Sequence, residues 1–352
     1  MKRVNHSHML IALCSAAFFV SGLPASAQLH YKKPIDLGTL PGGSISNAYG
    51  VNDQGTVVGV SDGSPAITHA FSWTKSTGMI DLGTLGGNIS WAEAVNDAGQ
   101  IVGQAQTDHS ADAFLLINGI MQDLGGLGGG AGSQANAINY NLLTKTNTQI
   151  AGWSLTSDNS AYHAVIWDSS LNILDLGTLG GTSSYAFGNN CVGQVVGGSA
   201  TALGSFDAFL WDVTHGMQDL GTLGGSMAQA NGINCFGIIV GSSSLPGDTQ
   251  TDAFVYVNGT MTALATLGGS LSQANAINDA GQMVGFSRTA GDTDTHAVLW
   301  NPDTSMVDLN NLIPPKSGWD LQGANAISSN GSIVGAGLHN GKGHAFLLVP
   351  VK

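Results

Sequence analysis

Seven times between Ile35 and Val351 the chain repeats nearly the same sentence, and no other feature limits its possible folds as strongly. One copy runs Asp219-Leu-Gly-Thr-Leu-Gly-Gly-Ser226, then Ala230-Asn-Gly-Ile-Asn234, Gly237-Ile-Ile-Val-Gly-Ser242 and Asp252-Ala-Phe-Val-Tyr256. Copies begin at Asp36, Asp81, Asp123, Asp175, Asp219, Ala263 and Asp308, so successive starts lie 45, 42, 52, 44, 44 and 45 residues apart. A period of that size marks one supersecondary unit that buries its faces only against its neighbours.

Each unit holds four short runs of strand character. In one copy these are Ala274 to Asn278, Gln282 to Ser287, His296 to Trp300 and Met306 to Leu309. The turn Asp279-Ala-Gly281 joins the first two, and Asn301 to Ser305 joins the last two. Asp and Gly suit such reversals. Four antiparallel strands in about 45 residues is the size of one β-propeller blade. Both faces of a blade pack on neighbours, so strict polar alternation is not required. The chain ends agree: Ile35 to Leu40 is an orphan fourth strand, and the last unit, Ala324 to Val349, has only three. Pairing them closes a ring and hides two sheet edges. The expected fold is all-β, a seven-bladed propeller of four-stranded blades over residues 28–352 with the N-terminal strand completing the last blade. A β-solenoid or paired sandwiches are the alternatives.

Composition narrows the function classes. Lys2 and Arg3, the apolar stretch Met9 to Val20 and the small residues Ala25-Ser-Ala27 read as a secretory signal peptide over residues 1–27, cleaved after Ala27. Leu13 before Cys14 argues against a lipoprotein anchor. Without Lys2 and Arg3 the formal charge moves from -13 to -15, and Arg288 is the one remaining arginine. Nucleic acid is a poor partner for such a chain, because its phosphates demand Lys and Arg. No further stretch is apolar and long enough to insert in a membrane. Only Glu93 among 23 acidic residues is a glutamate, and 51 glycines accompany abundant Asp, Asn, Ser and Thr, a composition of turns and strands. The expected location is extracellular or periplasmic, as a monomer without cofactor.

His69-Ala-Phe71, His344-Ala-Phe346 and the recurring Asp-Leu-Gly-Thr-Leu-Gly-Gly runs resemble the HAF-repeat family of bacterial extracellular proteins. The resemblance covers essentially the whole mature chain and implies export and a repetitive β fold, with no general activity. Three departures stand out: Ala263 replaces Asp, Asp308-Leu-Asn-Asn-Leu312 loses the glycines, and Tyr140 to Gln149 is lengthened by about six residues relative to the other copies.

His69, His163, His296 and His344 share one template position that Asp112, Asp207 and Asp252 fill in the other copies. A His/Asp set suggests metal or acid–base chemistry. Equivalent residues in adjacent blades should lie on the order of 15 Å apart given strand spacing of about 4.8 Å, too far to share an ion. No metal site is therefore expected, and the His/Asp exchange suits a hydrogen bond to a loop backbone. The runs Gly180-Gly-Thr182, Gly224-Gly-Ser226 and Gly268-Gly-Ser270 lack the Lys and helix of a phosphate loop and serve instead as rim-to-centre turns. Trp73, Trp167, Trp211 and Trp300 close the third strand, with Tyr256, Leu116 and Leu348 as alternates, and read as interblade core. The Asp-rich loops Gly291-Asp-Thr-Asp294 and Pro246-Gly-Asp248 offer oxygen ligands but no calcium-loop spacing. No Gly-x-Ser-x-Gly elbow occurs, and Glu93 has no evident carboxylate partner for glycoside hydrolysis.

Two features remain as candidates. The residue before the Ala of the first strand varies as Asn47, Trp91, Gln134, Tyr185, Gln229, Gln273 and Gly323, and six of these, all but Gly323, form a candidate ligand surface at the channel mouth. Amides beside aromatics suit a neutral polar ligand, glycan or protein. Cys191 and Cys235 are the only cysteines outside the signal segment and lie 44 residues apart at one template position. In an oxidising compartment they read as a disulfide, with two independent thiols as the alternative. The sequence thus points to an exported non-enzymatic binding or scaffold module. A secreted hydrolase or lyase acting on polysaccharide at the channel mouth would have to use Glu93, Lys145 or Arg288; a purely structural envelope protein is the third reading.

Overall fold

In the computed structural model, which describes residues 30–64, 67–128, 132–139 and 149–351, seven four-stranded antiparallel sheets stand around a common axis. Residues 1–27, which by sequence read as a signal peptide, and the lengthened connection at 140–148, with Lys145, lie outside the described residues. Blade 1 shows the pattern, from the innermost strand outward: Ser46–Val51, Val57–Gly63, Ile67–Thr74 and Gly78–Asp81. Blades 2 to 6 repeat it over residues 90–123, 133–175, 180–221, 228–263 and 268–308. Blade 7 takes Trp319–Ile327, Ile333–His339 and Lys342–Leu348 from the C-terminal end and Ile35–Asp36 from the N-terminal end. The described residues contain no α-helix, only one 3-10 turn at Leu309–Asn311. None of their helices is long and apolar enough to cross a membrane.

One residue in every second strand explains why the strands sit so close. The first strand carries a bulge, between Ala48 and Gly50 in blade 1, that pushes a carbonyl toward its neighbour. A Cβ on Gly59 would lie 2.0 Å from the Asn47 carbonyl oxygen, and the equivalents Gly103, Gly152, Gly197, Gly241, Gly285 and Gly335 would meet theirs at 1.9 Å. Only glycine fits there, so it occurs in all seven copies.

The core is a set of layers between blades rather than one centre. Val58 and Ala70 of blade 1 pack with Ala92, Ile101, Phe114 and Leu116 of blade 2, and the other layers repeat this arrangement. The Phe of the His-Ala-Phe element, as in Phe71 and Phe346, is fully buried. Trp167 and Trp300 are fully buried and donate through Nε1 to the carbonyls of Leu124 and Ala265, so their polar edge is satisfied. A buried serine latches adjacent blades. Ser184 Oγ accepts from the Ala164 amide at 2.8 Å and donates to the Gly177 carbonyl at 2.6 Å; Ser46, Ser90 and Ser133 do the same. Leu321 replaces that serine in blade 7, and Asn310 takes over by bonding both the amide and the carbonyl of Leu321. This accounts for the missing glycines in Asp308-Leu-Asn-Asn-Leu312.

Closure rests on the N-terminal strand. Ile35 pairs with Leu347 and Asp36 with Phe346, while the Leu37 amide donates to Ala345 at 3.1 Å. Tyr31 is buried, bridges to Pro350 and donates its hydroxyl to the Gly331 carbonyl. Deleting residues 31–40 should open the edge of blade 7 and remove buried Tyr31, Leu37 and Leu40, a loss of roughly 3 kcal/mol or more by the cost of deleting large core side chains. Urea unfolding of the truncated and intact mature chains checks this; equal midpoints would mean that closure contributes nothing.

Candidate functional site

Side chains at alternate positions of the seven innermost strands face one channel, and they form three tiers. The waist is Val51, Val95, Ile138, Asn189, Ile233, Ile277 and Ile327, apolar except for Asn189, whose amide donates to the Gln149 carbonyl. Above it a chamber of about 290 Å³ is ringed by Tyr49, Glu93, Asn136, Phe187, Asn231, Asn275 and Asn325. Below it a second space of similar size opens through a ring of asparagines, where Asn52 Nδ2 donates to the Asn96 carbonyl and each neighbour repeats the bond.

The variable position identified from sequence forms the upper tier. Asn47, Trp91, Gln134, Tyr185, Gln229 and Gln273 are all half-buried at the start of their strands. Their amides are not free, however. Gln134, Gln229 and Gln273 each donate to the asparagine two residues on, at 2.7–2.8 Å, and the Asn47 oxygen accepts from Asn325. Most of these amides therefore brace the chamber wall. Tyr185 differs. It belongs to a five-ring cluster at the junction of blades 3 and 4, stacked with Phe187 at 6.4 Å and 17° and set edge-on to Trp153 at 6.1 Å. Tyr162 packs edge-on to Trp153 at 5.1 Å, Phe206 lies 6.3 Å from Tyr185, and Tyr162 remains 38% exposed. Ala161 and His163, the sequence neighbours of Tyr162, line a polar groove of about 600 Å³ with Thr156, Asp158, Ser160 and Asp175. Trp153, Tyr162 and Phe206 lie off the first strand, so the scan of that strand alone missed them; their local aromatic excess in two adjacent copies was the available signal.

Glu93 stands in the chamber wall and is the only acid among the described residues that line it. Gln134 Nε2 donates to its carboxylate at 3.3 Å. Burial pushes the carboxyl from the ordinary 4.5 up to about 7. Burial, followed by the Glu93 charge, raises the Tyr49 hydroxyl as well, against a hydrogen bond with Asn47 that lowers it. Arg288 does not line the chamber; it is the penultimate residue of the second strand of blade 6, near Asp292.

The template histidines meet carboxylates rather than loop backbone, which corrects the expectation from sequence. His69 Nδ1 lies 2.9 Å from Asp81, His163 2.9 Å from Asp175, and His296 2.7 Å from Asp308. Each partner is the Asp that closes the fourth strand of the same blade, heading Asp-Leu-Gly at Asp81 and Asp175 and Asp-Leu-Asn at Asp308, and its other bonds cap the turn, as when Gly83 donates to Asp81. In blade 4, where Asp207 stands in place of His, the pairing turns awkward. Burial first, and then the proximity of Asp219, raise the Asp207 carboxyl. In blade 5 the fourth-strand position that elsewhere carries the Asp holds Ala263, paired with Phe254, so Asp252 meets no carboxylate there, and that departure from the repeat has a physical reason. The Asp-rich loops also have defined work: Asp248 and Asp292 accept from the amides of Ser226 and Ser270, capping the Gly-Gly turns. Those turns need glycine twice, since Gly224 has φ 105° and a Cβ on Gly225 would lie 2.5 Å from the Ser244 side chain.

No family model matches the sequence, and no curated protein does. Solved structures do resemble it. The β-propeller domain of the Trilobed protease from Pyrococcus furiosus aligns with TM-score 0.55 and 8% identity over 88% of this chain and 94% of that one. The chain is a seven-bladed β-propeller. That archaeal domain has an open velcro topology, whereas here Ile35 and Asp36 complete the last blade. A puromycin-hydrolyzing peptidase from Mycobacterium tuberculosis aligns with TM-score 0.53 and 12% identity over 88% of this chain but only 49% of its own. At such identities the likeness concerns the fold.

Cys191 and Cys235 are joined across blades 4 and 5 beside the asparagine ring, with Cα atoms 5.4 Å apart. A chain that begins at Gln28, and so lacks Cys14, should therefore show no reactive thiol when unfolded without reduction, and reduction should cost about 3–4 kcal/mol in the chain-entropy picture for a loop of this length; two thiols per chain would exclude the bridge. For Glu93 the native state holds a proton that the unfolded chain releases near pH 4.5, so stability falls as pH rises from about 4.5 to about 7 and then levels off. Glu93→Gln should abolish that slope and stabilise the protein at pH 8 by about 1–3 kcal/mol, the upper value reduced because Glu93 keeps part of its surface exposed to the channel. Urea midpoints of both proteins across pH 5 to 8 on the order of one unit apart test it; parallel profiles would contradict a buried, protonated Glu93.

Proposed function

We propose that the protein is an exported, non-enzymatic binding or scaffold module of the HAF-repeat kind that holds a glycan on the upper face of blades 3 and 4. The observation that carries this reading is the five-ring aromatic cluster, whose exposed Tyr162 is flanked in sequence by Ala161 and His163 of the polar groove. Aromatic faces stack on the C–H surfaces of sugar rings, and the hydroxyls and carboxylates of Thr156, Asp158 and Ser160 offer partners for sugar hydroxyls. Ser160 and Thr156 already orient the Asp158 carboxylate, at 2.8 and 2.6 Å. A peptide is the competing ligand. The signal-like N-terminal segment and the motif resemblance favour a secreted or periplasmic location.

A hydrolase or lyase working at the channel mouth is the second reading, and Glu93 favours it: a carboxyl raised to about 7 suits general acid–base chemistry at neutral pH. Against it, no second carboxylate lines the chamber among the described residues, whereas most glycoside hydrolases use a pair. Nearly every other polar position is repeated around the ring, whereas a catalytic constellation should be singular. A purely structural envelope role would leave the aromatic cluster without a ligand.

Glycan and peptide arrays probed with the mature chain, beside a panel of chromogenic polysaccharide substrates, separate these readings. The expected result is binding to neutral oligosaccharides that Tyr162→Ala or Tyr185→Ala weakens about tenfold, the equivalent of roughly 1.4 kcal/mol, and that Glu93→Gln leaves unchanged. Turnover lost in Glu93→Gln would replace the binding reading with an enzymatic one, and silence in every assay would favour the structural role.

A further inference from the structure

The rim of blade 7 differs from those of blades 1, 3 and 6. There one imidazole meets one carboxylate; in blade 7 two imidazoles meet the same one. His344 Nδ1 lies 2.9 and 3.1 Å from the two oxygens of Asp36, and His339 Nδ1 lies 2.7 Å from Oδ2. His339 has no counterpart elsewhere: the equivalent position of the second strand holds Gly63, Thr107, Thr156, Thr201, Leu245 and Thr289. The three potential ligand atoms all lie within 4.8 Å of one another. The His339 ring is held flat against Trp319, centroids 4.7 Å apart and planes 7° apart, and Trp319 in turn packs edge-on to Phe346. Side-chain exposures of 21% for His339, 16% for His344 and 29% for Asp36 leave room for water.

We propose that Asp36, His339 and His344 form a binding site for a divalent transition metal ion, zinc best matching the donor set. Two imidazoles and one carboxylate suit zinc, nickel or copper rather than magnesium or calcium. A tetrahedral ion with bonds of about 2.0–2.1 Å keeps its donors roughly 3.3 Å apart, a spread bracketed by the present contacts of 2.7–3.1 Å and the 4.8 Å limit. Each neutral imidazole would offer the Nδ1 lone pair and carry its proton on Nε2, and water would complete the shell. The reasoning that equivalent histidines of adjacent blades stand too far apart does not apply here, because all three donors belong to one blade. They also come from both chain ends: Asp36 from the N-terminal strand, His339 and His344 from the last two strands. Between every other pair of strands the chain itself is continuous within a blade. The ion would supply at the closure a cross-link that the covalent chain does not.

Titration calorimetry of the EDTA-treated mature protein with Zn²⁺, and absorption spectra with Co²⁺, test the site. The expected result is one ion per chain, a higher melting temperature with Zn²⁺, and a Co²⁺ spectrum with the intense visible bands of a four-coordinate site. His339→Thr installs the residue of four other blades and keeps the His344–Asp36 pair, so the fold should survive. Loss of even an outer-shell partner costs about 10–100-fold in metal affinity, so this variant should weaken binding at least about tenfold and lose the melting shift. His69→Ala, which breaks a two-member pair in blade 1, should bind as the parent does. Absence of Zn²⁺ and Co²⁺ binding in the parent, or equal binding by His339→Thr, would overturn the proposal.

Discussion

The structure depends on an amide relay around the axis. In blades 1 to 6 the asparagine that follows the first strand donates its side-chain amide to the backbone carbonyl of the equivalent residue in the next blade, as in Asn52 to Asn96, Asn139 to Asn190, Asn190 to Asn234 and Asn278 to Ser328, at 2.8–3.2 Å. These side chains are at most 9% exposed. A buried amide without a partner costs about 1–3 kcal/mol, so the relay favours a complete circle. At the seam Ser328 cannot donate an amide, and Asn330 bonds the Asp53 carbonyl instead, at 3.0 Å. Because a hydrogen bond tolerates only tenths of an ångström, the relay fixes the spacing of the innermost strands and with it the bore of the channel.

A second relay one level up shows where the repeat has been given away. Asn136, Asn231, Asn275 and Asn325 each bond a carbonyl of the next blade, at 2.8–2.9 Å. Tyr49, Glu93 and Phe187 occupy the same tier without such a bond. Repetition is a packing solution, so residues that abandon it at some cost to cohesion are where function is expected. Phe187 joins the chamber to the aromatic cluster of Tyr185, and Glu93 places one carboxyl of raised pKa among neutral amides.

The rim obeys a different rule. The Asp of Asp-Leu-Gly both caps its own turn and receives the third-strand histidine, so a single carboxylate ties the fourth strand to the third. The exchange of His for Asp is tolerated where the partner becomes Ala263 and is strained toward protonation where it stays Asp219. Blade 7 takes the opposite course and gathers an additional imidazole on the carboxylate that joins the two chain ends.

Blade number, strand order and ring closure were legible in the sequence because each follows from a repeat whose unit cannot bury its faces alone and whose two ends are complementary. The adjacency of Cys191 and Cys235 was legible for the same reason: equal template positions in neighbouring copies are neighbours in space. The partners of the histidines were not, since His69 and Asp81 are 12 residues apart and meet only through the pairing of the third and fourth strands. Nor was the engagement of Gln134, Gln229 and Gln273, which read as free amides in a list of variable positions but turn down into the chamber wall. The Asp36–His339–His344 cluster lay furthest from view. Asp36 stands 303 residues from His339, and no other copy of the repeat places a histidine at the position of His339. A period determines which backbones lie side by side; which way side chains turn once there depends on the hydrogen-bond partners that only the closed ring supplies.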